Sequence, residues 1–505
     1  MYSYHIFYFP FKWELPEKQQ MTFSEQVDLQ SIRFNPLSSW KRMWIDSEEE
    51  QNDVYNEKNY YFPFVHPVLY DDNTPGSLIY HFERKEPKIG PVFYCINLKG
   101  GVTYRLRVDA INVNLYSTGV GTLSFYCRNE RKSQSGPDDI LCINQYGRRI
   151  MPPFISDVEL RMETAASLEI EGLDAPAPGT YREDFNRYVN LDSWKPASFI
   201  CTLMNDLVEN IQITPAVDDR MFVACWYGNN ELSAEIFGKC NGDKPEETKS
   251  DLSEEEKEQK RFESFLYGDF WYRFIFIDAG DLTCQNRAMQ KALIDKQTYS
   301  RWQRYGTLYG CSRYSLVMLS NTSGYAKDVL FRYFVTIYSR MVELVLVQRA
   351  SLLRFSSEVT QVSKLPSQEV GVVSERISSL YKEYIRFVNQ VYFCNITAQD
   401  QGIELYEMLM GTLQMKQKIE DLDKEIEELH QYVSLMEDRE RNIKATKLND
   451  IAGILLPASI ITGLFGMNQL KDLTDNYTFY SLLFEIPLIA ILTGWIWYKI
   501  KNKKL

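Results

Sequence analysis

Apolar and polar positions keep two different rhythms along this chain. From residue 1 to about 324 the apolar stretches are short or alternate with period two, the signature of half-buried strands. The opening Met1-Tyr-Ser-Tyr-His-Ile-Phe-Tyr-Phe-Pro10 alternates and predicts a strand; it has no basic start and no small-residue cleavage site, so it does not read as a signal peptide. Val92–Asn97, Met221–Tyr227 and Arg273–Asp278 are short apolar runs of strand type. Thr103–Tyr116 alternates, and its phase slips at Ala110-Ile111, which predicts a β-bulge. Ser117-Thr-Gly-Val-Gly-Thr122 then turns the chain into Leu123–Cys127, a hairpin. Gly119-x-Gly121 lacks a third glycine and a following helix, so it reads as a turn and not as a phosphate loop. Ser198–Glu209 is a helix candidate. Residues 243–261 form an acidic insert expected to be mobile, in which Ser253-x-x-Glu256 can cap a short helix.

From about residue 325 the period becomes helical. Tyr325–Leu353 is apolar, but Arg332, Arg340, Glu343 and Arg349 recur too often for a bilayer crossing, so a packed helix is expected. Val370–Phe393 is a second helix. Between Gly402 and Lys447, Leu405, Met408, Thr412, Met415, Ile419, Leu422, Ile426, Leu429, Val433 and Met436 are spaced alternately three and four, a coiled-coil-like seam. No glycine or proline stops that helix before Ile451–Met467, a stretch without charge. Phe479–Tyr498 is a second apolar stretch, with Glu485 as its one charge.

Both stretches have the length of bilayer crossings. Lys499, Lys501, Lys503 and Lys504 follow the second. Arg439, Arg441, Lys444 and Lys447 precede the first. By the positive-inside rule the expectation is a two-span hairpin in the inner (plasma) membrane, multi-pass, with both termini cytoplasmic. The expected fold class is therefore an α+β membrane protein. Its parts are a cytosolic mixed α/β domain (1–324), a helical region with a long stalk helix (325–448), and a transmembrane hairpin with a basic tail (449–505).

Composition adjusts this picture in three respects. The 505 residues carry a formal charge of −12, which argues against a nucleic-acid partner. Four histidines make a histidine-rich metal site improbable, and nine cysteines with no Cys-x-x-Cys pair read as reduced core residues. No nucleophile motif, phosphate loop or histidine cluster points to an enzyme.

One stripe carries candidate chemistry. Asn442, Ala445, Asn449, Ala452, Leu456, Ser459 and Gly463 recur at spacings of three and four, so one helix face is small or polar. Close helix packing explains such a stripe, and so does a pore lining; several copies around an axis would do both. At its outer end stands Gly466-Met467-Asn468.

The tripeptide resembles the CorA superfamily of magnesium-type divalent cation channels. So do Pro457, Gly463, the long helix running into the first apolar stretch, and the lysine-rich tail. The likeness covers roughly the last 100 residues. It implies a homopentamer with a funnel-shaped cytosolic domain, self and the lipid bilayer as partners, and magnesium as the passing ion. Gly466, Met467 and Asn468 would form the selectivity filter. Asn442, Leu448, Asn449, Ala452, Leu456, Ser459 and Gly463 would line the pore, with Leu448 and Leu456 as apolar constrictions. Serine stands where the family more often has threonine, and leucine where it has methionine. A ring of amide oxygens suits magnesium, which keeps its water and can be held through that shell. In the outer loop Asp472 and Asp475 could gather cations against Lys471, so zinc, cobalt or nickel is an alternative cargo. The likeness further implies that stalk acids bind regulatory magnesium, with Glu420, Asp423, Glu427, Glu428, Glu437 and Asp438 as candidates; a solvated helix flank explains them equally simply. A non-conducting, membrane-tethered sensor or scaffold is the rival class.

Overall fold

The computed structural model describes residues 1–44, 57–85, 90–151, 164–174, 177, 179–185, 195–237, 253–364, 370–466, 487–489, 491–492 and 494–495. The chain divides into two compact units. The first comprises Met1–Lys364 with Ser378–Ile426, and the second Leu365–Ile377 with Glu427–Leu505.

The first unit is built on one 13-stranded mixed sheet. In chain order its strands are β1 (Ser3–Glu14), β2 (Trp40–Arg42), β3 (Ile79–Arg84), β4 (Phe93–Asn97), β5 (Thr103–Tyr116), β6 (Val120–Asn129) and β7 (Ser167–Glu171). They continue with β8 (Arg182–Asp184), β9 (Gln212–Pro215), β10 (Phe222–Gly228), β11 (Thr298–Tyr299), β12 (Leu308–Cys311) and β13 (Ser315–Ser320). The main path runs β11-β12-β13-β10-β1-β6-β5-β4-β7-β8, with β9 beside β1, and β2 and β3 joined to β5. β10 and β13 pair in parallel, whereas the other pairs are antiparallel.

The opening strand lies at the centre of this sheet. β1 pairs with β6 along one edge; along the other it pairs with β10 at Ser3–Tyr8 and with β9 at Phe11–Glu14. Pro10, which has no N–H to donate, sits between those two stretches, where its missing donor costs the ladder little. Both faces of β1 are covered. Phe7, Phe9, Phe11 and Trp13 enter one core, and Tyr4, Ile6 and Tyr8 enter the other, as the period of two requires. Helices that fill the first face include α1 (Pro137–Gly147), α2 (Ser198–Leu207), α3 (Glu254–Leu266) and α4 (Asp269–Phe276), and Ile236 of Asn230–Phe237 and Ile294 of Arg287–Gln297 join the same core. The second face is covered by α5 (Ser339–Val362), the latter part of α6 (Val370–Gln390) and α7 (Asp400–Thr412).

The β5–β6 hairpin and its bulge follow the alternation closely: the register shifts between Val108 and Ala110. Gly119 closes the turn at φ +75°, and a Cβ on Gly121 would stand 2.6 Å from the ring of Phe11. These glycines therefore serve packing and turn geometry. Ser253 and Glu256 form the expected capping box on α3, while residues 243–252 of the acidic insert lie outside the described residues.

Three expectations are corrected. Arg273–Asp278 is not a strand. It belongs to α4, whose buried Trp271, Phe274 and Ile275 keep helical spacing, and the chain leaves at Ile277 with φ +56°. A short apolar run cannot by itself distinguish the two states. The seam from Gly402 is interrupted: α7 ends at Thr412, Gln414 takes φ +55°, and α8 (Met415–Gly466) begins anew. A left-handed residue just past a helix end is the usual way such a break is closed.

The third correction concerns fold class and membrane location together. The fold is mixed α/β around a large sheet, and among the described residues no helix is long and apolar enough to cross a membrane. The apolar part of α8 begins at Ile451, after Lys447 and Asp450, and is described as far as Gly466. Most of Phe479–Tyr498 lies outside the described residues; its helical backbone is described at 487–489, 491–492 and 494–495. The described helices therefore do not support an α+β membrane protein with two transmembrane helices, a multi-pass inner-membrane location or a transmembrane ion channel.

Candidate functional site

The candidate residues of the stripe sit on the second-unit part of α8. Its backbone is held by good helix formers and by local ion pairs. Arg441 lies 3.4 Å from Glu437 and 3.9 Å from Asp438, and Lys444 lies 2.7 Å from Glu440. These side chains are largely exposed, so each pair adds only a few tenths of a kcal/mol. Ser374, also in the second unit, donates a hydrogen bond to Glu437.

Beyond Val433 the helix has little cover. Asn442, Leu448, Asn449, Ala452, Leu456, Ser459 and Gly463 are all exposed, Leu448 at 69% and Leu456 at 56%. Ile443, Ile451, Leu455 and Ile460 are exposed as well. The hydroxyls on this helix turn back to it: Thr446 donates to the carbonyl of Asn442, and Ser459 donates to that of Leu456 at 2.9 Å. The oxygen of Ser459 keeps acceptor capacity toward the outside. Within this unit a Cβ on Gly494 would lie 3.0 Å from Ile454, so that small residue lets a second helical stretch come near α8. Gly466 ends α8. Met467, Asn468, Asp472 and Asp475 lie outside the described residues.

The six candidate regulatory acids do not converge. Glu420 lines a cavity of about 720 Å³ with Tyr392, Cys394, Met410 and Lys416. Asp423 faces the Tyr384 hydroxyl, which burial first and then this carboxylate hold above its ordinary value. In the second unit Glu427 accepts a bond from Gln431, and Glu437 and Asp438 share Arg441. Among the described residues no three histidine, cysteine, aspartate or glutamate side chains are placed to hold a metal ion.

The sequence did not disclose a buried polar chain in the first unit. The Glu343 carboxylate accepts from Asn114 Nδ2 at 2.5 Å and from the Thr122 hydroxyl; Asn114 Oδ1 lies 2.5 Å from His81 Nδ1. Burial raises the Glu343 pKa, while those two donors and Arg340 oppose the rise. Arg340 bonds Glu57 and the carbonyl of Leu69. The signal for this network was present: Arg340 and Glu343 are two of the charges that interrupt the apolar Tyr325–Leu353 stretch. Two hydrogen bonds to a buried carboxylate make a satisfied structural group the economical account. The eight described cysteines are free, and Cys240 lies outside the described residues.

No family model, no curated protein and no solved structure matches the chain.

Proposed function

We propose that this chain is a homo-oligomeric protein of CorA-like design that passes divalent cations, magnesium first, along an axis shared by its copies. In this reading the copies gather around the second-unit part of α8. The stripe from Asn442 to Gly463 faces the axis, and the Gly466-Met467-Asn468 segment lies at one mouth. Amide and hydroxyl oxygens repeated by symmetry hold a hydrated ion through its water shell, and the leucine rings supply apolar constrictions. Stalk acids from neighbouring copies bind magnesium when it is abundant and hold the assembly closed.

The observation that carries the proposal is the exposed ladder on α8. Leu448, Ile451, Leu455, Leu456 and Ile460 are each more than half exposed, a density of apolar side chains that a soluble helix normally covers. Interleaved with them is a stripe of small and polar residues, the composition that close packing of like helices around an axis requires.

A non-conducting magnesium-responsive assembly is the second reading, and one observation favours it: among the described residues no helix is long and apolar enough to cross a membrane. One experiment separates the two. Magnesium entry into liposomes is followed with a trapped fluorescent indicator, using the full chain and its Asn468→Ala variant. The proposal expects entry with the unaltered chain and at least a tenfold loss in the variant. Magnesium-dependent assembly without entry would establish the second reading. Entry that ignores the substitution would overturn the assigned path.

A further inference from the structure

We infer that a cleft in the edge of the sheet, where β5 changes partner, binds a phosphate-bearing small molecule. The cleft follows from the strand register. On one edge β5 pairs with β4 through Thr103–Arg107 and with β3 through Asn112–Tyr116. Between those stretches, at Val108–Ile111, no strand among the described residues pairs on that edge, where Val108 N donates to the Val92 carbonyl at 2.9 Å, and the bulge toward β6 falls in the same four residues. Bulges interrupt the ladder and leave main-chain polar groups available.

The resulting cavity measures about 570 Å³ and is lined by Arg84, Lys85 and Arg107 on its basic side and by Val92, Ile111 and Leu173 on its apolar side. That volume lies within the usual range for small-ligand sites. Two of its three cations lack a carboxylate partner among the described residues. Arg84 is nearly fully buried and committed, to Asp206 at 3.1 Å and to the Tyr181 hydroxyl at 2.7 Å. Asp109, the acid at the rim, is bound to Arg128 at 2.8 Å. Lys85 donates to a neutral group, the Ser38 carbonyl, and Arg107 is exposed; neither has a carboxylate partner among the described residues. Two cations without a carboxylate partner among the described residues therefore line one cleft in a chain whose net charge is −12.

Two positive charges match a phosphate monoester, which carries about −1.5 to −2 at neutral pH. A guanidinium fork suits its oxygens and an ammonium adds a point charge. The apolar wall offers a seat for the organic body of the molecule. Lys85 and Arg107 would touch the phosphate, while Arg84 stiffens the wall and adds to the field.

Titration calorimetry with the full chain tests the inference, using inorganic phosphate and adenosine monophosphate as probes at low and moderate salt. The expected result is saturable binding of at least one probe, weakened tenfold or more in Arg107→Gln and in Lys85→Gln. Binding should stay unchanged in Lys327→Gln, an exposed change of equal charge elsewhere. Tighter binding of the nucleotide assigns the apolar wall to an organic body, and equal binding assigns the site to free phosphate. Absence of binding by both probes, or equal binding by all variants, would overturn the inference. Arg107 is exposed, so its variant is expected to fold; circular dichroism of each variant confirms that any loss of binding is local.

Discussion

Replacing Leu448, Ile451 and Leu455 with glutamine yields a chain that no longer self-associates but keeps its first unit intact. These residues follow each other at spacings of three and four and are 69%, 53% and 53% exposed. They lie on one side of the helix. If like copies cover them, each contributes about 1.5–3 kcal/mol on burial. Losing three such contributions lowers the association constant by a factor on the order of a thousand or more, since about 1.4 kcal/mol is a factor of ten. The first unit contains none of the three positions, so its unfolding temperature should move by less than about 2 °C. Sedimentation of the parent and triple variant at micromolar concentration reads the first effect, and calorimetry reads the second. An unchanged sedimentation coefficient would remove the ladder from any interface.

The second large effect is a loss of stability in mild acid. His5 lies in β1 at the sheet centre with no exposure. Its Nδ1 is 2.7 Å from Asn144 Oδ1 and its Nε2 is 2.8 Å from the Ser3 hydroxyl. A neutral ring fits both contacts, donating from Nδ1 and accepting at Nε2. Burial lowers the pKa to about 4 from 6.5, with the Asn144 bond opposing. The folded state thus resists protonation that the unfolded chain accepts. Stability from this group is complete above pH 6.5 and is lost as pH falls from 6.5 to about 4, by about 3 kcal/mol in all. Urea unfolding at pH 7.5 and pH 4.5 should show that difference shrinking in His5→Gln. An equal acid sensitivity in the variant would place the titrating group elsewhere.

Local regularity was legible in the sequence; long-range pairing was not. The β5–β6 hairpin and its bulge could be placed from alternation alone, because a slip of one residue turns apolar side chains to the other face. The capping box at Ser253 is equally local. By contrast, nothing in Arg273–Asp278 itself distinguishes strand from helix. The decisive residue, Trp271, stands outside the run and is buried on the helical face. The break at Gln414 was hidden because the three-four spacing continues across it. The sheet order, with β10 parallel to β13 across most of a hundred residues of chain, depends on contacts that no local window contains.

The candidate site was legible in a different sense. The stripe on α8 is a matter of spacing, and the helix that carries it is where the spacing put it. Whether the flanking apolar residues cross a bilayer depends on length and neighbouring charge, and among the described residues no helix is long and apolar enough to do so. The basic cleft could not be read at all. Arg84, Lys85 and Arg107 are brought together only by the pairing of β3 and β4 on the same edge of β5.

The account rests above all on several copies meeting through α8 under the control of magnesium. Native mass measurement of the full chain in detergent, with and without millimolar magnesium, addresses this directly. The account predicts one discrete multimer, five copies by the CorA likeness, that is tighter with magnesium and loosens when the metal is chelated. A monomer under both conditions would contradict it.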